Sequence, residues 1–388
     1  MCGPGTSWST ATSPSPAPTR TACSWSATPH QLIEGCLIAA YAIGAAQVFL
    51  YVRGEMAHAQ ERIAAALNEA YEANLVGRNI LGTDFSVDIV LTWGAGAYIV
   101  GEETALIESL EGHRGCLGSA AVLPGRQGPL HEAHRGQQRG DALQPAVDHE
   151  PRRHEVPRHR HRDLARHTSH RPVGPCAQPR RVRGPQGSTT FRDLIESPDY
   201  GGGIREGHEL KMFIPGGASA PWFFPEHLDL PLEAREVGPQ GSMLGSGAVV
   251  VMDDSTDAVR ACLRVVRFFA RESCGKCTPC REGTTWEEQI LTRILEGHGR
   301  PSDIELLLDV ADNISPGPYP VASHEAAGLD AVPFPPRQTT ICPLGPSSVA
   351  PITSALRRFR SEFTDKITLR DPIPVVSEPS TNEGVRNG

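Results

Sequence analysis

The sequence predicts three units in a row: an α/β unit, a small β-rich unit and a C-terminal helical bundle. Three observations carry this. Helix and strand patterns alternate through residues 31–112, short runs broken by Gly and Pro fill 189–253, and apolar residues recur at helical spacing through 254–368. At 388 residues the chain has room for two or three domains and a sizeable core.

In the α/β unit, "HQLIEGCLIAAYAIGAA" reads as a helix and "QVFLYVRGE" as a strand. "AHAQERIAAALNEAYEANL" follows as an amphipathic helix with Ile63, Ala66, Leu67, Ala70 and Tyr71 on one face. "FSVDIVLTW" alternates as a strand and runs through a glycine turn into "GEETALIESLEG", another helix. The order β-α-β-α predicts a parallel sheet covered by helices. The apolar run at residues 35–52 is interrupted by glycines and ends in β-branched and aromatic residues, so it reads as a buried helix entering a buried strand rather than a membrane span. With no secretory pattern at the N-terminus, a cytoplasmic protein is expected.

"SGAVVVMDD" reads as a strand that closes the β-rich unit. Residues 255–298 and 302–314 read as helical, with Val259, Cys262, Leu263, Val266 and Phe269 at core spacing. A Pro-rich loop, 315–337, leads to "TTICPLGPSSVAPITSALRRFRSEF", whose last part is a further helix.

Composition excludes some functions. The net charge of −8 gives no global case for a nucleic-acid or anionic-membrane partner. Lysine occurs only at Lys211, Lys276 and Lys366 among 37 basic residues, and with 39 Gly and 34 Pro this indicates a G/C-rich gene.

The chemistry concentrates in "SCGKCTPCREG". Thiolates are soft ligands, and Cys274, Cys277 and Cys280 at C-x2-C-x2-C spacing suit an iron–sulfur cluster. Cys342, in a loop just before a helix, is the natural fourth ligand; Lys276 and Arg281 are placed to offset the negative charge. A structural zinc site and three reduced thiols are the alternatives, although zinc usually takes paired C-x2-C knuckles. Cys36 and Cys262 read as core packing. A second candidate is the turn "WGAGAYIVGEETAL". Gly94, Gly96 and Gly101 allow close backbone approach to a ligand, and Glu102 and Glu103 open a helix. On local grounds a plain tight turn, with the two glutamates serving only the helix dipole, explains it equally well.

Taken in order, "GAGAYIVGEETALIESLEG", "SCGKCTPCREGTTW" and "TICPLG…APITSALRRFRSEF" resemble the flavoprotein (F, NADH-binding) subunit of NADH-quinone oxidoreductase, respiratory complex I. Diaphorase subunits of NAD-linked hydrogenases and formate dehydrogenases share these motifs. The resemblance covers 29–112 and 189–368. It implies an FMN- and NADH-binding α/β domain, a ubiquitin-like β domain at 189–253 and a helical domain at 254–368 carrying a [4Fe–4S] cluster. Hydride would pass from NADH to FMN, then single electrons to the cluster. By match, Gly101, Glu102 and Glu103 fall on the cofactor-contacting turn, with Gly94 and Gly96 beside them. Cys274, Cys277, Cys280 and Cys342 fall on the cluster ligands. Implied partners are a thioredoxin-like [2Fe–2S] subunit and a large Fe–S subunit, with the assembly peripheral on the cytoplasmic side of the inner membrane and no direct membrane insertion.

Two stretches depart from the family. Residues 1–30 are Ser/Thr/Pro-rich, and 113–188 hold 9 of 15 histidines, 14 arginines and no lysine, without periodicity. The family's acidic flavin motif and its "KPT-x-x-NNVET" segment are missing there. Shifted by one base, allowed codons for 5–30 permit "YFVVNGDESEPGAYKDRVLMERDPH", and those for 123–143 permit "FPAVRGLCTKPTVVNNVETL". Residues 1–29 and about 115–187 are therefore expected to be out of frame and disordered; the tail 369–388 is expected to be disordered. A histidine-rich zinc segment is the competing reading of the middle stretch. The family's glycine-rich flavin loop lies upstream of the first residue here. The literal chain is thus expected to hold a cluster at best and to lack most groups that grip FMN.

Overall fold

A computed structural model describes residues 5–11, 27–118, 134–138, 167–176, 182–185, 189–316 and 339–368. The first sheet is parallel throughout, in the order β3-β2-β1-β4, formed by β1 (Gly5–Ala11), β2 (Ala45–Val52), β3 (Asp88–Trp93) and β4 (His134–Gln138). Helix α1 (Pro29–Ile43) connects β1 to β2, and α2 (Ala57–Glu72) connects β2 to β3. Leu32, Ile33, Cys36 and Ala40 of α1 and Ile63, Ala66, Leu67 and Ala70 of α2 bury against Val48, Leu50 and Val52 of β2. Tyr71 leaves the expected core face: it is 39 % exposed, and its hydroxyl accepts from the Ile89 amide at 3.1 Å. A phenol at the rim keeps its ring on the helix and its oxygen wet.

Helix α3 (Glu103–Leu110) follows the glycine turn. The second sheet runs β6-β5-β8-β7, from β5 (His167–Val173), β6 (Val182–Pro185), β7 (Leu210–Ile214) and β8 (Ala248–Asp253). Its central pair, β5 and β8, is parallel and its two outer pairs are antiparallel. Between β6 and β7 lies α4 (Phe191–Glu196), started by a capping box in which Thr190 and Asp193 satisfy each other's amides. Short α5 (Ala234–Val237) precedes β8.

Among the described residues four helices follow: α6 (Ala258–Glu272), α7 (Thr278–Leu295), α8 (Ser302–Ile314) and α9 (Leu344–Thr364). Val259, Cys262, Leu263 and Val266 of α6 share one core with Ile290, Leu291 and Ile294 of α7, Leu307 and Ile314 of α8, and Ile352 and Phe363 of α9. No helix among the described residues is long and apolar enough to cross a membrane.

The structure departs from the sequence reading in three places. Residues 5–11 form an inner strand of the first sheet rather than part of a featureless tail. Within 113–188, residues 134–138, 167–173 and 182–185 are strands. The boundary at 188/189 therefore cuts through the second sheet, because β5 and β6 pair with each other and β5 with β8. Parallel and antiparallel ladders are made by backbone groups, so a stretch with no side-chain periodicity can still complete a sheet. The predicted helix over 255–298 is broken at residues 273–277, where Gly275 takes φ +79°. Residues 119–133, 139–166, 177–181 and 186–188 and the tail 369–388 lie outside the described residues.

Candidate metal centre and the turn beside it

The break in the helical unit is where the thiols gather. Ser273 ends α6 in an extended conformation (φ −59°, ψ 126°), and Cys277 is the N-cap of α7 with Pro279 in its first turn. Cys280 follows in that turn, and Cys342 lies just before Pro343, the N-cap of α9. All four expected cysteines line one small cavity, partly open to solvent, with Ile99, Leu117, Lys276 and Leu344 among its walls. Cys280 and Cys342 are buried and Cys274 and Cys277 half-buried, all as free thiols. Burial pushes the Cys280 thiol up to about 12 and the Cys342 thiol to about 11, the latter opposed by a hydrogen bond from the Leu344 amide. Ligation must therefore expel protons that burial favours.

Geometry separates a cluster from zinc. Tetrahedral zinc holds thiolates at about 2.3 Å, which brings the sulfurs to roughly 3.8 Å of each other. Among the described residues, the groups of three or more ligand atoms within 4.8 Å of one another are Glu108, Glu111 and His113, and His208, Asp253 and Asp254. The four cysteines are not such a group, as ligands of a body larger than one ion would not be. The second acidic group is already committed: Arg205 Nε donates to Asp253 at 2.6 Å, and His208 pairs with Asp254 at 2.6 Å. A four-thiolate set spread around one cavity fits a [4Fe–4S] cubane.

Of the two cations assigned to offset charge, Lys276 reaches the cavity but donates its ammonium to the Leu117 carbonyl. Arg281 turns away, donating to the Gly275 carbonyl at 2.9 Å and to Glu282 at 2.7 Å.

The glycine turn stands against this cavity, at the carboxyl ends of β2 and β3, where open α/β sheets bind ligands. Its glycines have internal reasons. A Cβ on Gly94 would lie 2.5 Å from the Tyr51 ring, and one on Gly54 2.5 Å from the Gly94 carbonyl, so the two loops touch backbone to backbone. Gly96 has φ +91°, and Gly101 ends a 3-10 turn, Tyr98–Gly101. Glu102 is the N-cap of α3, accepting from the Ala105 amide at 3.0 Å and the Thr104 hydroxyl at 2.6 Å; Glu103 is exposed. Beside them Arg53 Nε donates to Glu55 at 2.8 Å, and this bond holds the Glu55 carboxyl below its usual range. The turn thus offers a flavin or nucleotide its backbone and a helix N-terminus, while Glu102, Arg53 and Glu55 are bonded within the protein. The described residues fit the cluster fully and FMN only through backbone.

Sequence reasoning missed the groups that join turn to cavity. Tyr98 donates its amide to Glu272 at 2.8 Å, shares a hydrogen bond with Ser219 at 2.9 Å, and packs edge-on against Phe268 at 5.2 Å and Phe269 at 6.2 Å between ring centroids. Ile99, Val100 and Leu106 share one apolar core with Phe269, Cys280, Cys342 and Leu344. The adjacency of "AYIV" to a glycine turn and of "RES" to the cysteines was visible, but contact across 174 residues was not.

The family model for the Nuo51 FMN-binding domain matches residues 12–122, and that for the NADH-ubiquinone oxidoreductase-F iron-sulfur binding region matches 260–319. The F subunit of NADH-quinone oxidoreductase from Streptomyces coelicolor is 40 % identical over 355 residues, 89 % of this chain and 71 % of that protein. The F subunit from Mycobacterium tuberculosis is 39 % identical over 348 residues, 87 % and 70 % of the two chains, and that from Rickettsia akari 36 % identical over 343 residues, 87 % and 74 %. A crystal structure of NAD+-reducing [NiFe]-hydrogenase superposes with TM-score 0.74 at 25 % identity, covering 96 % of this chain and 58 % of that one. The chain therefore belongs to the family of NADH-quinone oxidoreductase F subunits and carries that family's FMN-binding domain and iron–sulfur region.

Proposed function

We propose that Cys274, Cys277, Cys280 and Cys342 ligate a [4Fe–4S] cluster that receives electrons originating from NADH at the turn formed by Gly94, Gly96, Gly101, Glu102 and Glu103. When bound, FMN supplies the step from two-electron to one-electron chemistry and the cluster a one-electron store. The protein's part is positional. Cys280 lies in the first turn of α7, and the Leu344 amide at the start of α9 donates to the Cys342 sulfur, so the positive ends of both helix dipoles lie near thiolates. Ile99, Leu117 and Leu344 keep water from the buried sulfurs. The Glu272 carboxylate ties the turn to the end of α6, which holds the turn and the cysteines in one register. The convergence of the Cys274, Cys277 and Cys280 triplet with the distant Cys342 on one cavity carries this reading.

The second sheet supports a ubiquitin-like unit: a hairpin (β5, β6), a helix (α4), then β7 and β8, with the first and last strands parallel at its centre. Partner subunits follow from family membership. We assign the adjacent ones to a thioredoxin-like [2Fe–2S] subunit and a large Fe–S subunit. A second reading, a non-catalytic Fe–S-binding fragment, is favoured by the internally bonded side chains at the turn. It follows if residues 1–29 and 115–187 are out of frame in the protein itself. Anaerobic purification separates the readings: FMN retained beside a brown cluster supports the dehydrogenase, while brown, flavin-free protein supports the fragment. Peptide mass spectrometry settles the frame. Peptides containing "NGDESEPG" and "NNVET" restore the missing flavin groups, and Arg/His-rich peptides establish the chain as written.

A further inference from the structure

We infer that the Ser273 hydroxyl donates a hydrogen bond to the ligand sulfur of Cys280 and thereby raises the reduction potential of the cluster, a reading that rests on the ligand assignment above. Ser273 Oγ lies 3.2 Å from Cys280 Sγ, and the Gly275 amide donates to the same Oγ at 3.3 Å. A serine hydroxyl has one proton and two acceptor sites. The Gly275 amide occupies an acceptor site. A metal-bound cysteine has no proton, so in the loaded protein the serine is the only possible donor of the pair.

The placement is fixed from both sides. Ser273 caps α6, with its amide donating to the Phe269 carbonyl at 2.9 Å, and Cys280 sits in the first turn of α7, where Thr284 binds its carbonyl at 2.7 Å. Cys280 is buried and Ser273 half-buried, so the bond is partly shielded from water and stronger than an exposed one. Reduction adds negative charge that spreads onto the ligand sulfurs. A donor held at one of them stabilises the reduced form more than the oxidised form, and hydrogen bonds to sulfur are an established control on cluster potential. Ser273 is thus a tuning residue: it touches a ligand atom and needs neither FMN nor NADH to act.

The test is a redox titration of the anaerobically reconstituted full chain, followed by electron paramagnetic resonance, in wild type, Ser273→Ala and Ser273→Thr. Ser273→Ala is expected to bind iron and sulfide as wild type does and to favour reduction about tenfold less, a downward shift of about 59 mV for a one-electron couple. Ser273→Thr keeps the hydroxyl and restores the potential. In D2O, wild type shows an exchangeable deuteron coupled to the reduced cluster that Ser273→Ala lacks. Equal potentials in wild type and Ser273→Ala overturn the inference. So does the absence of that deuteron in wild type, a measurement that stands even if the alanine variant assembles poorly. Failure of wild type to take up any cluster refutes the ligand assignment instead, and the role of Ser273 with it.

Discussion

Glu287→Gln removes a carboxyl that folding buries completely. Glu287 lies two turns beyond Cys280 on the inner face of α7, is 0 % exposed, and neither of its oxygens has a hydrogen-bond partner. The Ser348 hydroxyl, which donates to the Gly345 carbonyl at 2.8 Å, favours the ionised carboxyl only weakly against burial. Burial therefore dominates and pushes the carboxyl from 4.5 up to about 8. Between those values the folded chain keeps a proton that the unfolded chain has released. Stability is full below about pH 4.5, falls as the pH rises, and levels off above about pH 8. At 1.36 kcal/mol for each pH unit, the loss attributable to Glu287 is roughly 3 kcal/mol by pH 7 and about 4 kcal/mol by pH 8. Glutamine has no proton to lose. It does bury an unpaired amide, which costs about 1–3 kcal/mol at every pH. The difference in unfolding free energy between wild type and Glu287→Gln, from urea melts at pH 5, 6, 7 and 8, should thus swing by several kcal/mol in favour of the variant. Parallel curves would refute the reasoning, because they would mean that Glu287 is ionised in the folded protein or reaches water.

Three further outcomes follow from named contacts. Gly94→Ala drives a methyl to 2.5 Å from the Tyr51 ring, whose hydroxyl is held by Ser109 at 3.0 Å, and should destabilise by about 1–3 kcal/mol in thermal melts; Gly238→Ala, with nothing within 4 Å, should be nearly neutral. Thr190→Ala breaks the capping box of α4 and should cost about 1 kcal/mol, with hydrogen exchange rising first at the Asp193 amide. Cys342→Ser should lose the characteristic cluster absorption while leaving far-ultraviolet circular dichroism nearly unchanged, since the core of α6 to α9 does not depend on that sulfur.

The elements with strong side-chain periodicity were legible in the sequence. Cys262, Leu263 and Val266 point inward at 3.6-residue spacing, and β2 joins α1 through Gly44 at φ +68°, as the apolar run predicts. The triplet of cysteines was legible because spacing alone brings its members together, and Cys342 because it precedes a helix. What the sequence hid lies in contacts made without periodicity. β1 and β4 are held by backbone pairing, which low β-propensity weakens without forbidding. Glu287, in "TTWEEQ", was not singled out by its charge, yet Cys280, Glu287 and Ile294 recur every seven residues on one buried face. Counting from the cysteine would have found it. The bond from Ser273 to Cys280 depends on a loop conformation that three-residue spacing does not determine.

The most direct test of the central claim is metal and sulfide analysis of the anaerobically reconstituted chain, with spectra before and after dithionite. The account predicts iron and acid-labile sulfide in equal amounts, about four of each per chain, and a paramagnetic signal on reduction. That signal should disappear when any one of Cys274, Cys277, Cys280 or Cys342 is replaced. A single zinc ion bound with no sulfide, or a cluster that survives loss of Cys342, would contradict it.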